Sequence, residues 1–220
     1  MIIIIDFGSQ YNQLIARRVR ECRVYCQIVP PTLSLDEIRA LNPEGLILSG
    51  GPSSIYAENS PKADPGIFDL GVPVLGICYG MQFMIDALGG VVRGAGKREY
   101  GFAEFTVNEA SGLFKGLPEK TMPCWMSHGD SAEALPPGFD IIGATANTPI
   151  GAIARPDRKL YGLQFHPEVE HTPKGRQILE NFLFDICGCT PSWTMAPFAE
   201  GAIEAIRSQV GDNEGILGLI

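Results

Sequence analysis

The sequence predicts an α/β fold: a doubly wound, mostly parallel sheet with antiparallel strands appended to it. Three observations predict it. Short apolar runs alternate with helical patterns through residues 1–88, the order that builds a parallel sheet covered on its faces. The runs are continuously apolar rather than alternating, as in Met1-Ile2-Ile3-Ile4-Ile5 and Gly45-Leu46-Ile47-Leu48, which suits strands buried on both sides. Beyond Gly89-Gly90 the pattern changes to β-branched and aromatic segments between Pro and Gly turns, the pattern of antiparallel strands.

Taken in order, residues 1–6 read as the first strand, and Phe7-Gly8-Ser9-Gln10 turns it into a helix over 11–22, with Leu14, Ile15 and Val19 at helical spacing. A second strand over 23–29 stops at Pro30-Pro31. Ser34-Leu35-Asp36-Glu37 has the capping-box spacing and starts a short helix. The third strand, 45–48, runs into Ser49-Gly50-Gly51-Pro52, and after a polar loop and a small helix near Ile67-Phe68 the fourth begins at Val72-Pro73-Val74-Leu75. It leads into Gly76-Ile77-Cys78-Tyr79-Gly80 and an amphipathic helix over 81–88. Segments 102–107 and 141–146 read as antiparallel strands, 125–130 as a polar turn, and 160–165 as the last antiparallel strand, which delivers His166. A helix over 174–186 closes the domain, with Gly188 as its stop signal. Residues 190–197 read as a linker, followed by a helix over 198–210 and a terminal apolar strand at 216–219.

Composition narrows the function classes. A chain of 220 residues with 45% hydrophobic content buries one full core and leaves a short appendage. The formal charge is −8 and no run of Lys or Arg is longer than a pair such as Arg17-Arg18, which argues against a nucleic-acid partner. The opening apolar run stops at Asp6, too short for a signal segment, and no stretch approaches the roughly 18 apolar residues of a membrane helix. The expectation is a cytoplasmic protein without a membrane partner. Six cysteines stand at 22, 26, 78, 124, 187 and 189 without paired C-x2-C knuckles, so no metal is expected and the thiols should be reduced and mostly buried.

The chemistry centres on Cys78. Strand, sharp turn and helix form the cysteine version of the G-x-S-x-G nucleophile elbow, with the thiol raised above the sheet edge beside the unpaired N–H groups of a helix start. Such a nucleophile needs a base, and histidine suits neutral pH. His166 ends a strand, and Glu168 lies two residues on, where a carboxylate can orient the imidazole. Alone, a strand-end histidine beside a carboxylate would more often be structural; beside the elbow it reads as catalytic. Thiolate attack on an acyl carbon also calls for backbone N–H donors to the oxyanion, and Gly50-Gly51 and Tyr79 are placed to supply them. A phosphate-loop reading of Ser49-Gly50-Gly51-Pro52-Ser53-Ser54 fails for want of a lysine. His128 reads either as a second site histidine or as a loop residue near the surface, and His171 as solvent-facing.

These motifs resemble those of the class I glutamine amidotransferases, and more narrowly the amidotransferase part of the GMP synthases. The resemblance is carried by Asp6-Phe7-Gly8-Ser9-Gln10-Tyr11, Leu48-Ser49-Gly50-Gly51-Pro52-Ser53-Ser54, Gly76-Ile77-Cys78-Tyr79-Gly80-Met81-Gln82, Trp125-Met126-Ser127-His128-Gly129-Asp130 and Gly162-Leu163-Gln164-Phe165-His166-Pro167-Glu168-Val169. It implies a flavodoxin-like sheet, a Cys78-His166-Glu168 triad, an oxyanion hole from the Gly51 and Tyr79 N–H groups, and contacts to substrate glutamine from Gln82, Ser127 and Asp130. It implies a glutaminase domain over 1–189 and, over 190–220, a linker and the start of an ATP pyrophosphatase domain cut off before its phosphate loop. ATP and Mg would then belong to the synthetase domain or subunit that partners this chain in aminating XMP to GMP, and this chain itself needs no cofactor. Two other readings stay open: a γ-glutamyl hydrolase or other cysteine hydrolase of the same fold, and a non-catalytic regulatory or binding module.

Overall fold

The computed structural model describes residues 1–117, 120–194, 203, 204, 206–208 and 210. In chain order the elements are β1 (Ile2–Ile5), α1 (Asn12–Glu21), β2 (Cys26–Val29), α2 (Leu35–Ala40), β3 (Gly45–Leu48), a 3-10 turn at Pro65–Asp69, β4 (Val74–Ile77), α3 (Tyr79–Ala87), β5 (Val91–Val107), β6 (Thr121–Ala134), β7 (Asp140–Ala144), β8 (Ala152–Arg155), β9 (Leu160–Leu163) and α4 (Gly175–Glu180). The last continues as a π-helical turn over Asn181–Ile186. The described part of the expected 198–210 helix is helical; the expected strand at 216–219 lies outside the described residues.

The strands form one sheet in the order β2-β1-β3-β4-β9-β8-β7-β5-β6. From β2 to β9 all neighbours are parallel, and this half has the flavodoxin-like arrangement. From β9 to β6 all neighbours are antiparallel. The α/β class is as the sequence predicts. One part needs correcting: the segment at 160–165 is not simply the last of the antiparallel series. β9 pairs parallel with β4, Val74 opposite Leu160 and Ile77 opposite Leu163, and antiparallel with β8. It is the junction of the two halves. Its four residues are all buried, and a short apolar run carries no periodicity that reveals its direction.

The continuous apolar runs are explained by burial on both faces. Ile2 and Ile4 of β1 pack on one side with Ile15 and Val19 of α1 and Ile178 and Phe182 of the C-terminal helix. Ile3 and Ile5 pack on the other with Ile38 of α2 and Phe83 and Met84 of α3. α2 starts as its sequence requires: Ser34 Oγ accepts from the Glu37 N–H at 3.3 Å, and the Glu37 carboxylate accepts from the Ser34 N–H at 2.9 Å. Such a box stabilises a helix start by about 1 kcal/mol.

The appended strands are longer than the sequence suggests. β5 and β6 run for 17 and 14 residues and pair along most of their length. Inward residues such as Phe105 and Met126 join the core, whereas Tyr100 and Phe102 on the outward face of β5 are 62% and 71% exposed. The stretch 125–130, expected as a polar turn, lies within β6. Its glycine and polar residues mimic a turn in composition, but cross-strand pairing with β5 keeps it extended.

Backbone approach between α3 and the sheet leaves no space for side chains at two positions. A methyl group on Gly80 would press into the Leu48 carbonyl, and one on Gly76 would lie 2.6 Å from the Met81 nitrogen. Overpacking of this kind costs about 3 kcal/mol. Gly80→Ala should therefore lower unfolding stability in urea by about that amount, whereas Gly71→Ala, where a methyl group meets nothing within 4 Å, should show only the smaller cost of its positive φ.

Candidate active site

Three parallel strands, β3, β4 and β9, end side by side, with Leu48 opposite Gly76 and Ile77 opposite Leu163. The residues that follow them are Ser49-Gly50-Gly51, Cys78 and Gln164-Phe165-His166. Ligands gather at such carboxyl ends in open parallel sheets.

Cys78 is the turn residue between β4 and α3, with φ 52° and ψ −108°. A positive φ is strained in a residue with a side chain, and the surroundings hold it: the Cys78 N–H donates to the Leu163 carbonyl at 2.7 Å, and the Cys78 carbonyl accepts from the Gln82 N–H at 3.1 Å. The strained dihedral thus falls on the cysteine itself, while Gly76 and Gly80 are required for close packing. The helix starts at Tyr79 rather than Met81, so the Tyr79 N–H is the first of the N–H groups without an intrahelical partner.

His166 is buried, and its Nδ1 lies 2.7 Å from Oε1 of the fully buried Glu168. Oε2 of that carboxylate has no hydrogen-bond partner among the described residues, so its hydrogen bonding is directed at the imidazole. The ring edge packs on Tyr11 at 5.1 Å. Gly50 brings backbone up to the pair: a methyl group there would lie 3.1 Å from Cε1 of His166 and 3.7 Å from Cβ of Cys78. Burial by itself would push the imidazole pKa down, but the Glu168 charge and hydrogen bonds to Cys78 and Glu168 hold it well above the ordinary histidine range. Thr172 fixes the main chain of this histidine, donating through Oγ1 to the His166 carbonyl at 2.7 Å and accepting from the Trp125 N–H at 3.1 Å.

Two cavities meet at Cys78. The larger, about 400 Å³, is lined by Gln82, Arg98, Tyr100 and the 127–130 segment. The smaller, about 260 Å³, lies beside Gly8, Tyr11 and His166. Gly51, Cys78 and Ser127 border both. The structure therefore brings Cys78, His166 and Glu168 to one place, sets the Ser127 carbonyl 3.6 Å from the sulfur, leaves Gly51 on the border of both cavities, and places Gln82 and Asp130 in the larger one. Tyr79 contributes backbone here; its ring packs on Phe7 at 5.2 Å and its hydroxyl donates to the Pro61 carbonyl at 2.7 Å. Gln82 donates through Nε2 to the Asp130 carbonyl at 2.9 Å and to Oε1 of Gln164 at 3.2 Å. Sequence reasoning assigned nothing to Gln164, Thr172, Arg98 or Tyr100. Gln164 had a signal, as the polar residue of the run 160–165. Arg98 and Tyr100 had none, because they lie on the part of β5 that the composition hides.

His128 is neither a surface residue nor in a loop. It is 4% exposed, with Nδ1 2.9 Å from the Asp130 carbonyl and Nε2 3.4 Å from the Thr148 hydroxyl, itself bonded to Glu99 at 2.6 Å. Burial pushes its pKa down, against the opposing pull of the Asp130 carbonyl and the Glu99 charge. His171 is exposed, its ring 4.5 Å from that of Trp125. All six cysteines are free thiols, and burial pushes Cys22 and Cys26 up to about 11 and Cys124 to about 12. Among the described residues no cluster of His, Cys, Asp or Glu could hold a metal ion, and no helix is long and apolar enough to cross a membrane.

Comparison with known proteins gives a match to the family model for glutamine amidotransferase class-I over residues 3–186. The chain belongs to that family. It is 54% identical over 218 residues to the glutamine-hydrolysing GMP synthase of Heliobacterium modesticaldum, covering 99% of this chain and 42% of the relative. The enzyme of the same name from Thermobifida fusca is 51% identical, with 99% and 41% covered. The chain thus spans well under half the length of these curated relatives. Among solved structures, a Thermoplasma acidophilum protein described as one of the subunits of a GMP synthase superposes with a TM-score of 0.76 at 32% identity, covering 93% of this chain and 96% of that one. A glutamine amidotransferase of Thermotoga maritima, at 21% identity and a TM-score of 0.59, shares the fold, with 94% and 93% covered.

The lowered pKa of His128 has a consequence for stability. Below the ordinary value of 6.5 the unfolded chain binds a proton there that the native fold resists. The contribution is therefore present above that pH and lost as the pH falls through it toward the lowered native value. The raised His166 acts in the opposite sense over the same range, so the check is a difference: between neutral and mildly acidic pH the melting temperature of the wild type should fall relative to that of His128→Gln.

Proposed function

We propose that this chain hydrolyses glutamine through Cys78, His166 and Glu168 and supplies the ammonia to a GMP synthase reaction. The observation that carries the reading is the buried pair of Glu168 and His166, 2.7 Å apart, beside a cavity that His166 shares with Cys78 and that meets a second, more polar one at the same cysteine. The chain-long likeness to enzymes named as glutamine-hydrolysing GMP synthases supports the choice of reaction.

In this reading His166 takes the thiol proton and Cys78 attacks the side-chain carboxamide carbon of glutamine. The oxygen of the tetrahedral intermediate turns toward the N–H groups of Gly51 and Tyr79, where each donor is worth about 3 kcal/mol. The C–N bond breaks as His166 returns its proton to the departing ammonia, leaving a thioester on Cys78. Water, deprotonated by the same imidazole, then releases glutamate and the thiol. Glu168 holds the imidazole in place and offsets its charge. Gln82, Ser127 and Asp130 border the space for the amino-acid end of the substrate.

Residues 1–189 form the glutaminase unit, and the stretch from 190 to 220 serves as linker and beginning of the ATP pyrophosphatase unit. The partner is that unit, on the same polypeptide or a separate one, and ATP and Mg act there to prepare XMP for amination. An acidic chain with free thiols and no membrane-spanning helix among the described residues suits the cytoplasm.

Cys78→Ala should abolish ammonia release from glutamine, measured with and without a separately supplied ATP pyrophosphatase subunit. Wild-type protein silent under both conditions would sink the reading. Glu168→Gln should lower kcat by about a hundredfold with little change in KM, and a glutamine-analogue electrophile should label Cys78, as peptide mass spectrometry would record.

A further inference from the structure

We infer that Gln164 is a catalytic residue that donates an amide N–H to the sulfur of Cys78 and so favours its charged form over the neutral thiol. The inference rests on the proposed role of Cys78 as nucleophile. Gln164 follows β9 directly and is fully buried. Its backbone is fixed, because its N–H donates to the Gly151 carbonyl at 2.9 Å while the preceding Leu163 carbonyl holds the Cys78 N–H. Its side-chain nitrogen lies 3.6 Å from Cys78 Sγ.

A carboxamide has two ends of nearly the same shape, and only its partners distinguish them. Here they are distinguished by a chain of partners that begins at a main-chain carbonyl. The Asp130 carbonyl can only accept, so the Gln82 atom 2.9 Å away is the NH2 group. The same nitrogen lies 3.2 Å from one end of the Gln164 amide, which must therefore be the accepting oxygen. The donating end of Gln164 is left facing the sulfur. Flipping it would set two NH2 groups against each other and a carbonyl oxygen against the nucleophile. Nδ1 of His128, 2.9 Å from the same Asp130 carbonyl, fixes the starting point.

The sulfur also lies 3.6 Å from the Ser127 carbonyl. A thiol can donate to that oxygen, and a thiolate is repelled by it. The imidazole of His166 and the N–H of Gln164 favour the opposite state. A hydrogen bond to an anion is stronger than the same bond to a neutral group, so Gln164 acts on the form that attacks. The proton released from the thiol goes to His166 and no other reactant enters.

The test is the rate at which iodoacetamide alkylates Cys78 in wild-type protein and in Gln164→Met, which keeps the volume and removes the donor, followed by mass spectrometry of the Cys78 peptide. Alkylation of the variant should be about tenfold slower at neutral pH, and the difference should vanish in alkaline solution, where the sulfur is charged without help. Equal rates at neutral pH, or a deficit that is the same at every pH, would overturn the inference and leave Gln164 a packing residue. Gln164→Glu, with an acceptor for Gln82 but a carboxylate against the sulfur, should be slower still and decides the matter if the Met variant does not fold. Wild-type Cys78 that resists alkylation at every pH would instead count against the proposed function itself.

Discussion

The parallel pairing of β4 with β9 is the constraint on which the site depends. It brings two segments far apart in the chain into register, with Ile77 opposite Leu163, so Cys78 and His166 leave the sheet at the same edge. Had β9 run antiparallel to β4, the histidine would have emerged at the opposite edge. The pairing also supplies the 2.7 Å bond from the Cys78 N–H to the Leu163 carbonyl that helps hold a strained dihedral in place. Geometry of the turn and proximity of the imidazole therefore have one cause. β3 completes the arrangement from the other side, bringing the Gly50 backbone against both residues.

Burial has opposite outcomes at different titratable groups around this edge. At Cys124 the Glu99 charge adds to it, and the thiol is pushed up to about 12. At His128 it outweighs a carbonyl and a more distant carboxylate, and the imidazole pKa falls. At His166 it meets a carboxylate 2.7 Å away and a hydrogen-bonding sulfur, and the imidazole pKa rises. Two histidines with nearly equal exposure, 3% and 4%, thus differ because one has a carboxylate 2.7 Å from its ring and the other has one at 3.7 Å.

Much of this was legible in the sequence where local rules apply. The capping box at Ser34, the apolar runs of β1 and β3 and the elbow at Cys78 are short-range features, and each appears where its residues put it. Direction and extent were less legible. Nothing in Leu160–Leu163 distinguishes a strand parallel to β4 from one antiparallel to it, since every side chain is buried and no alternation remains. The length of β5 and β6 was hidden by glycines and charged residues that an exposed hairpin face tolerates. Cys78, His166 and Glu168 could be singled out because a reactive group needs a particular neighbour. Gln164 showed only its polarity in an apolar run, because its partners Cys78 and Gln82 lie more than 80 residues away, and the tie of Thr172 to Trp125 likewise became visible only with the sheet assembled.

Gly76 and Gly80 place backbone against backbone beneath the cysteine, with no room for a single added carbon. A lineage under selection therefore has almost no heritable variation to draw on at that point of the molecule. Diversification is channelled to positions outside that packing, such as Phe102, which the outward face of β5 holds in solvent. The turn at Cys78 would drift slowly while such exposed positions change fast, and a library built to evolve new behaviour would spend its diversity best on them.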